Sequence, residues 1–115
     1  MKLLIASFLS LTLVGTANGM TLESFQNQRN TYENRTRVEV YLIGIGQGFT
    51  EANAALIEGG QRALFCPPEG YRLNTKNFVD IIKNRANQLS LAKSEKVADV
   101  LLDGLIELFP CQSSS

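Results

Sequence analysis

Apolar residues in this chain recur by threes and fours and nowhere alternate by twos, a rhythm that predicts helices and no strands. Over residues 38–57, Val38, Tyr41, Leu42, Ile45, Phe49, Ala52 and Leu56 fall on one helical face. Gly59-Gly60 follows and supplies the left-handed residue that ends a helix. A second helix is expected from Asn74 or Thr75, either of which can cap it, to about Leu89. Its inward stripe is Phe78, Ile81, Ile82, Arg85 and Leu89, while Lys76, Asp80 and Lys83 can pair on the wet side. The last helix carries two adjacent stripes, Val97-Leu101-Leu105-Leu108 and Ala98-Leu102-Ile106-Phe109. So broad an apolar face predicts the most buried element. Ser90 or Ser94 is placed to cap it, and Pro110 stops it.

Upstream the pattern weakens. Residues 20–37 are rich in Asn, Gln and Arg, and of Leu22, Phe25, Arg29, Tyr32 and Thr36, which recur at helical spacing, three are apolar. A loosely docked first helix capped by Thr21 and a disordered lead-in fit this stretch about equally well. Residues 1–19 read differently. Met1-Lys2 is a short positive start, an apolar run of about 12 residues follows, and small residues stand at Gly15, Ala17 and Gly19. That is the layout of a cleaved secretory signal peptide, and the run is shorter than the ~20 residues that span a bilayer. Cleavage after Ala17 or after Gly19 fits equally well.

Three glycines inside the long helix, Gly44, Gly46 and Gly48, each cost about 1 kcal/mol against alanine. A phosphate cradle would need a preceding strand, a turn and a Lys-Ser/Thr or ribose-binding acid, and none is present. Close helix–helix approach or a local kink is the expected reason for them.

The two cysteines organise what remains. Phe65-Cys66-Pro67-Pro68 and Phe109-Pro110-Cys111 bracket two helices. In an exported chain two thiols are expected to pair. Closing a loop of about 45 residues contributes roughly 4 kcal/mol. The fold expected is a small all-α, single-domain bundle of about four helices stapled by one disulfide. Its parts are the signal at 1–19, a polar segment at 20–37, the helical domain at 38–111 and a polar tail at 112–115.

Charge and chemistry narrow the function. Once Lys2 is removed with the signal, eleven acidic residues face ten basic ones and no Lys/Arg stripe stands out, which argues against nucleic acid and anionic membrane as partners. The chain has no histidine, so His-dependent nucleophilic catalysis and His-based zinc sites are excluded. No metal, cofactor or enzyme activity is expected. Asp99, Asp103 and Glu107 lie four apart on the outer face of the last helix, a solvated face or an electrostatic contact strip for a basic partner, and they lack the facing carboxylates of a glycosidase. A binding role is left. The candidate contact is the turn Ser90-Leu91-Ala92-Lys93-Ser94-Glu95, with Leu91 as an apolar tip and Lys93 as a flexible cation. On that reading Leu91→Asp weakens inhibition of the partner while leaving the far-UV CD and melting temperature almost unchanged.

Tyr41-Leu42-Ile43-Gly44, then Phe65-Cys66-Pro67-Pro68-Glu69-Gly70, then a helix, a short turn and a closing helix ending Leu108-Phe109-Pro110-Cys111 resembles the Rap/Tai family of type VI secretion immunity proteins. The resemblance covers about Val38 to Cys111. It implies a small periplasmic all-α domain that binds a Cys–His peptidoglycan amidase toxin and blocks its cleft, often as a homodimer. The loop that enters the cleft in that family matches residues 90–95 by position. Many members have a proline-bearing turn there and a further cysteine pair near the first helices. This chain has neither, which implies an N-terminal part held more loosely. An acid-stress chaperone of the periplasm and a structural periplasmic domain with an unrelated partner are the alternative readings.

Overall fold

The computed structural model of the chain describes residues 19–112, so the expected signal peptide lies outside them apart from Gly19, as do the last three residues of the tail. The protein is all-α. In chain order its helices are α1 (Leu22–Asn27), a 3₁₀ turn (Gln28–Asn30), α2 (Tyr32–Glu58), α3 (Thr75–Gln88) and α4 (Val97–Leu108). Among the described residues no strand forms, and the single extended pairing is a bridge between Thr21 and Lys96.

Each helix begins and ends for a local reason. Thr21 accepts the Ser24 amide at 3.2 Å and starts α1, and Thr31 does the same for Asn34 in α2. The long helix therefore starts at Tyr32, about 1.7 turns before its apolar stripe does. Gly60, at φ 74°, closes α2: its amide bonds to Ile57 O at 3.0 Å, and that of Gln61 bonds to Leu56 O at 2.8 Å. Asn74 and Asn77 cap α3 reciprocally, each side-chain oxygen accepting the other's amide at 2.9 and 3.0 Å.

The core draws on all four α-helices. Leu22 and Phe25 of α1 join Val38 and Leu42 of α2, Phe78 and Ile82 of α3, and Val97, Val100, Leu101 and Leu105 of α4, with Phe65 and Phe109 closing one end. This corrects the expected loose docking of the N-terminal segment. Leu22 and Phe25 are 2% and 1% exposed. The buried side of α4 also differs from the two stripes. Val100 and Gly104 lie inside, whereas Leu108 and Ile106 face solvent.

Gly104 explains that choice of face, and Gly46 plays the same part on α2. A Cβ on Gly104 would collide with the Cγ2 of Ile81, and one on Gly46 would collide with the ring of Phe78. These are the points where α3 lies against its two neighbours. Gly44 and Gly48 have open space around the missing Cβ, so close approach accounts for one of the three glycines in α2. The structure offers no reason for the other two.

Asn53 carries a contact that apolar spacing does not register. It is the buried polar side chain among the described residues. Its Nδ2 donates to Phe65 O at 2.8 Å and its Oδ1 accepts from Leu64 N–H at 2.8 Å. One amide thus ties the chain leaving α2 back onto α2, and satisfies two backbone groups that burial would otherwise strand. Phe65 is delivered to the core by this anchor.

The disulfide completes the same corner. Cys66 and Cys111 are bonded, with Cα atoms 4.9 Å apart, and the Cys66 amide donates to Phe109 O at 2.8 Å. Tyr71 packs against Phe109 with ring centroids 5.2 Å apart and planes tilted by 58°, an edge-inclined geometry that aromatic pairs favour. The Cys111 sulfur also lies 3.6 Å from Ala63 O, a contact without a hydrogen bond because an oxidised sulfur carries no proton.

Candidate functional site

The turn at residues 90–95 is built as the exit of α3. Ser90 adopts φ 49°, its amide bonds to Asn87 O at 3.3 Å, and the amide of Leu91 bonds to Ala86 O at 3.0 Å. These two bonds with a left-handed residue between helix and turn are the Schellman arrangement, here with serine where glycine is usual. Its geometry swings the chain round, so that Leu91 folds back and packs against the core. Leu89, expected on the inward stripe, is left 50% exposed.

Leu91 is therefore not the tip of a protruding loop. It is half-buried and belongs to the hydrophobic anchor of the turn. The expected neutrality of Leu91→Asp is corrected accordingly. Placing a carboxylate there should destabilise the fold by about 1–2 kcal/mol, the apolar burial lost from a half-covered leucine. A thermal melt should show a fall of about 5–15 °C for a domain of this size. A change under 2 °C would return Leu91 to the surface.

The remaining residues of the turn are exposed: Ala92, Lys93, Ser94 and Glu95. Their side chains are free, but their backbone is not. Leu22 N–H donates to Glu95 O at 2.9 Å, Glu23 N–H to Lys93 O at 3.0 Å, and Val97 N–H to Met20 O at 2.8 Å. Two of the orphan amides that open α1 are thus satisfied by carbonyls of the turn. This also replaces the expected serine cap. Lys96 is the N-cap of α4 with no side-chain bond, and the first amide of that helix is taken by Met20. Nothing in the spacing of residues 90–95 points to Met20–Glu23, which lie about 70 positions upstream and bond to the turn and the start of α4 through backbone groups.

Two concave regions flank the helices. The larger, an open groove of about 770 Å³, runs between α2 and the connection into α3, with Ile43, Phe65, Leu73 and Phe78 among its apolar walls and Glu51 and Arg72 at its polar ones. A smaller pocket of about 240 Å³ lies between α3 and α4. Asp99, Asp103 and Glu107 are exposed along α4, as the spacing requires. Among the described residues no three His, Cys, Asp or Glu side chains are grouped to hold a metal ion, and no helix is long and apolar enough to cross a membrane. Compared with known proteins, the chain matches no family model, no curated protein and no solved structure.

Proposed function

We propose that this is an exported binding protein of the immunity type, which blocks a Cys–His peptidoglycan amidase by presenting the turn between α3 and α4 to its cleft. The observation that carries the reading is the state of that turn: backbone held at two points by the N-terminal segment and side chains 92–95 facing solvent. A blocking protein needs no chemistry of its own. It needs a protrusion whose shape is set before binding, because ordering a floppy loop on contact subtracts from affinity. Lys93 is the residue best placed to read a partner. It is an exposed cation, and the ion pairs among the described residues are Glu33–Arg37 and Lys76–Asp80, neither of which engages it. An ammonium can approach the thiolate or a carboxylate of an amidase cleft. The disulfide suits a periplasmic setting, where it persists.

The chaperone alternative needs a carboxylate whose neutralisation opens the fold. Each of the eleven Asp and Glu side chains is exposed, which gives acid no buried anion to act on.

The test pairs the protein with a Cys–His amidase encoded beside it, first by asking whether co-expression silences the killing caused by that amidase in the periplasm. With a responsive amidase in hand, Lys93→Glu should weaken inhibition by about tenfold or more, the loss of one charge-assisted contact. Its melting temperature should stay within about 2 °C of the parent, as for surface substitutions generally. Inhibition that is unchanged in this variant removes the turn from the reading.

A further inference from the structure

The disulfide is unevenly covered. Cys66 is exposed, in the stretch between α2 and α3 that belongs to no helix, whereas Cys111 is half-buried with its sulfur 3.6 Å from Ala63 O. A disulfide sealed in a core resists reduction, and an exposed one is open to exchange with an external thiol. The attacking group is a thiolate that has to reach a sulfur, so access decides which of the two is attacked. Here access selects Cys66.

What the bond holds is equally local. Helix α4 ends at Leu108, and residues 109–112 beyond it are non-helical. They are tied back by the disulfide, by the Cys66 amide on Phe109 O, and by the ring of Phe109 against Tyr71. The packing of α3 on α4 lies elsewhere. It rests on Phe78, Ile82, Val97, Val100, Leu101 and Leu105 in the core, and on Ile81 seated against Gly104. Phe65, Pro67 and Tyr71 of the disulfide corner also line the larger groove, so opening the bond loosens one wall of that groove.

We propose that the Cys66–Cys111 bond is a redox latch, opened by a dithiol that attacks the Cys66 sulfur and frees residues 109–112 while α3 and α4 stay packed. The thiolate of the dithiol forms a new S–S bond to Cys66. The bond between the two cysteines breaks, and its electron pair leaves on the Cys111 sulfur, which takes a proton from water. The second thiol of the reductant then closes on the first and releases Cys66 as a thiol. The dithiol ends as a disulfide and the protein as two thiols, a two-electron exchange. Once protonated, the Cys111 sulfur has an acceptor in reach at Ala63 O. The latch uses no residue of the turn and is independent of the amidase-blocking role.

Peptide mass mapping locates the attack. The folded, oxidised protein is treated with glutathione, a monothiol that stops at the mixed disulfide, and quenched with N-ethylmaleimide. Glutathione on Cys66 with maleimide on Cys111 is expected to outnumber the reverse by about tenfold or more, since access favours one sulfur. Hydrogen exchange in dithiothreitol reads the opening. The amides of Cys66 and Phe109 should lose protection by about tenfold or more, while those of Ile82 and Leu101 keep theirs, as in local rather than global unfolding. Glutathione evenly split or mainly on Cys111, no reduction by dithiothreitol without denaturant, or protection lost throughout α3 and α4 would each overturn the proposal and leave the bond a purely structural link.

Discussion

Replacing Cys66 and Cys111 together by serine is expected to lower the melting temperature by about 15–30 °C. The two positions are 45 residues apart in the chain, and closing such a loop restricts the unfolded ensemble by about 4 kcal/mol. A domain of about this length is stable by only ~5–14 kcal/mol, and each kcal/mol moves its midpoint by about 4–8 °C. The bond also guards a specific corner. Phe65 enters the core next to Cys66 and Phe109 two positions before Cys111, and the Cys66 amide bonds to Phe109 O. Without the sulfur link that corner is held by one backbone bond, the Asn53 amide and the Tyr71–Phe109 ring contact. Calorimetry of the double-serine variant against the oxidised parent checks the figure. A fall of less than about 5 °C would mean that the core alone holds α3 and α4 against α2.

Legibility in the sequence followed the range of the interactions. The end of α2 at Gly60 and the cap at Asn74 are set by residues within a turn of each other, and both could be read from the residue types. The cysteine pair was readable because two thiols that pair have one arrangement to choose. The face of α4 was not. Both of its stripes are apolar, so periodicity could not select between them, and the deciding features are the missing side chain at Gly104 and the Ile81 that fills its place. Leu89 and Leu91 were exchanged for a related reason. The chain reversal at Ser90 depends on a left-handed serine, a conformation that residue type signals only for glycine and asparagine. Asn53 was invisible as a partner because the groups it serves lie eleven and twelve positions downstream. The candidate turn was legible in position and not in its support, since what fixes it is backbone from the other end of the domain.

The largest core deletion should come from the stretch whose composition looks least structural. Phe25→Ala is expected to destabilise the protein by about 3–5 kcal/mol, the range for truncating a buried aromatic side chain. Phe25 is 1% exposed on a helix of six residues, too short to persist by itself. Helix α1 therefore exists because Leu22 and Phe25 are buried, and because Lys93 and Glu95 accept its first amides. Tyr32, a few positions on and 84% exposed, is the control: Tyr32→Ala should stay within about 0.5 kcal/mol of the parent. Chemical denaturation of the two variants separates a docked α1 from a frayed one, and equal midpoints would mean that α1 is dispensable. The same substitution reaches the turn. If α1 loosens, the amides of Leu22 and Glu23 should lose protection from hydrogen exchange before those of α4, and, on the proposed function, inhibition of a responsive amidase should weaken although residues 92–95 are untouched. A Phe25→Ala protein that remains folded at low temperature and inhibits as well as the parent would show that the turn keeps its shape without α1 behind it.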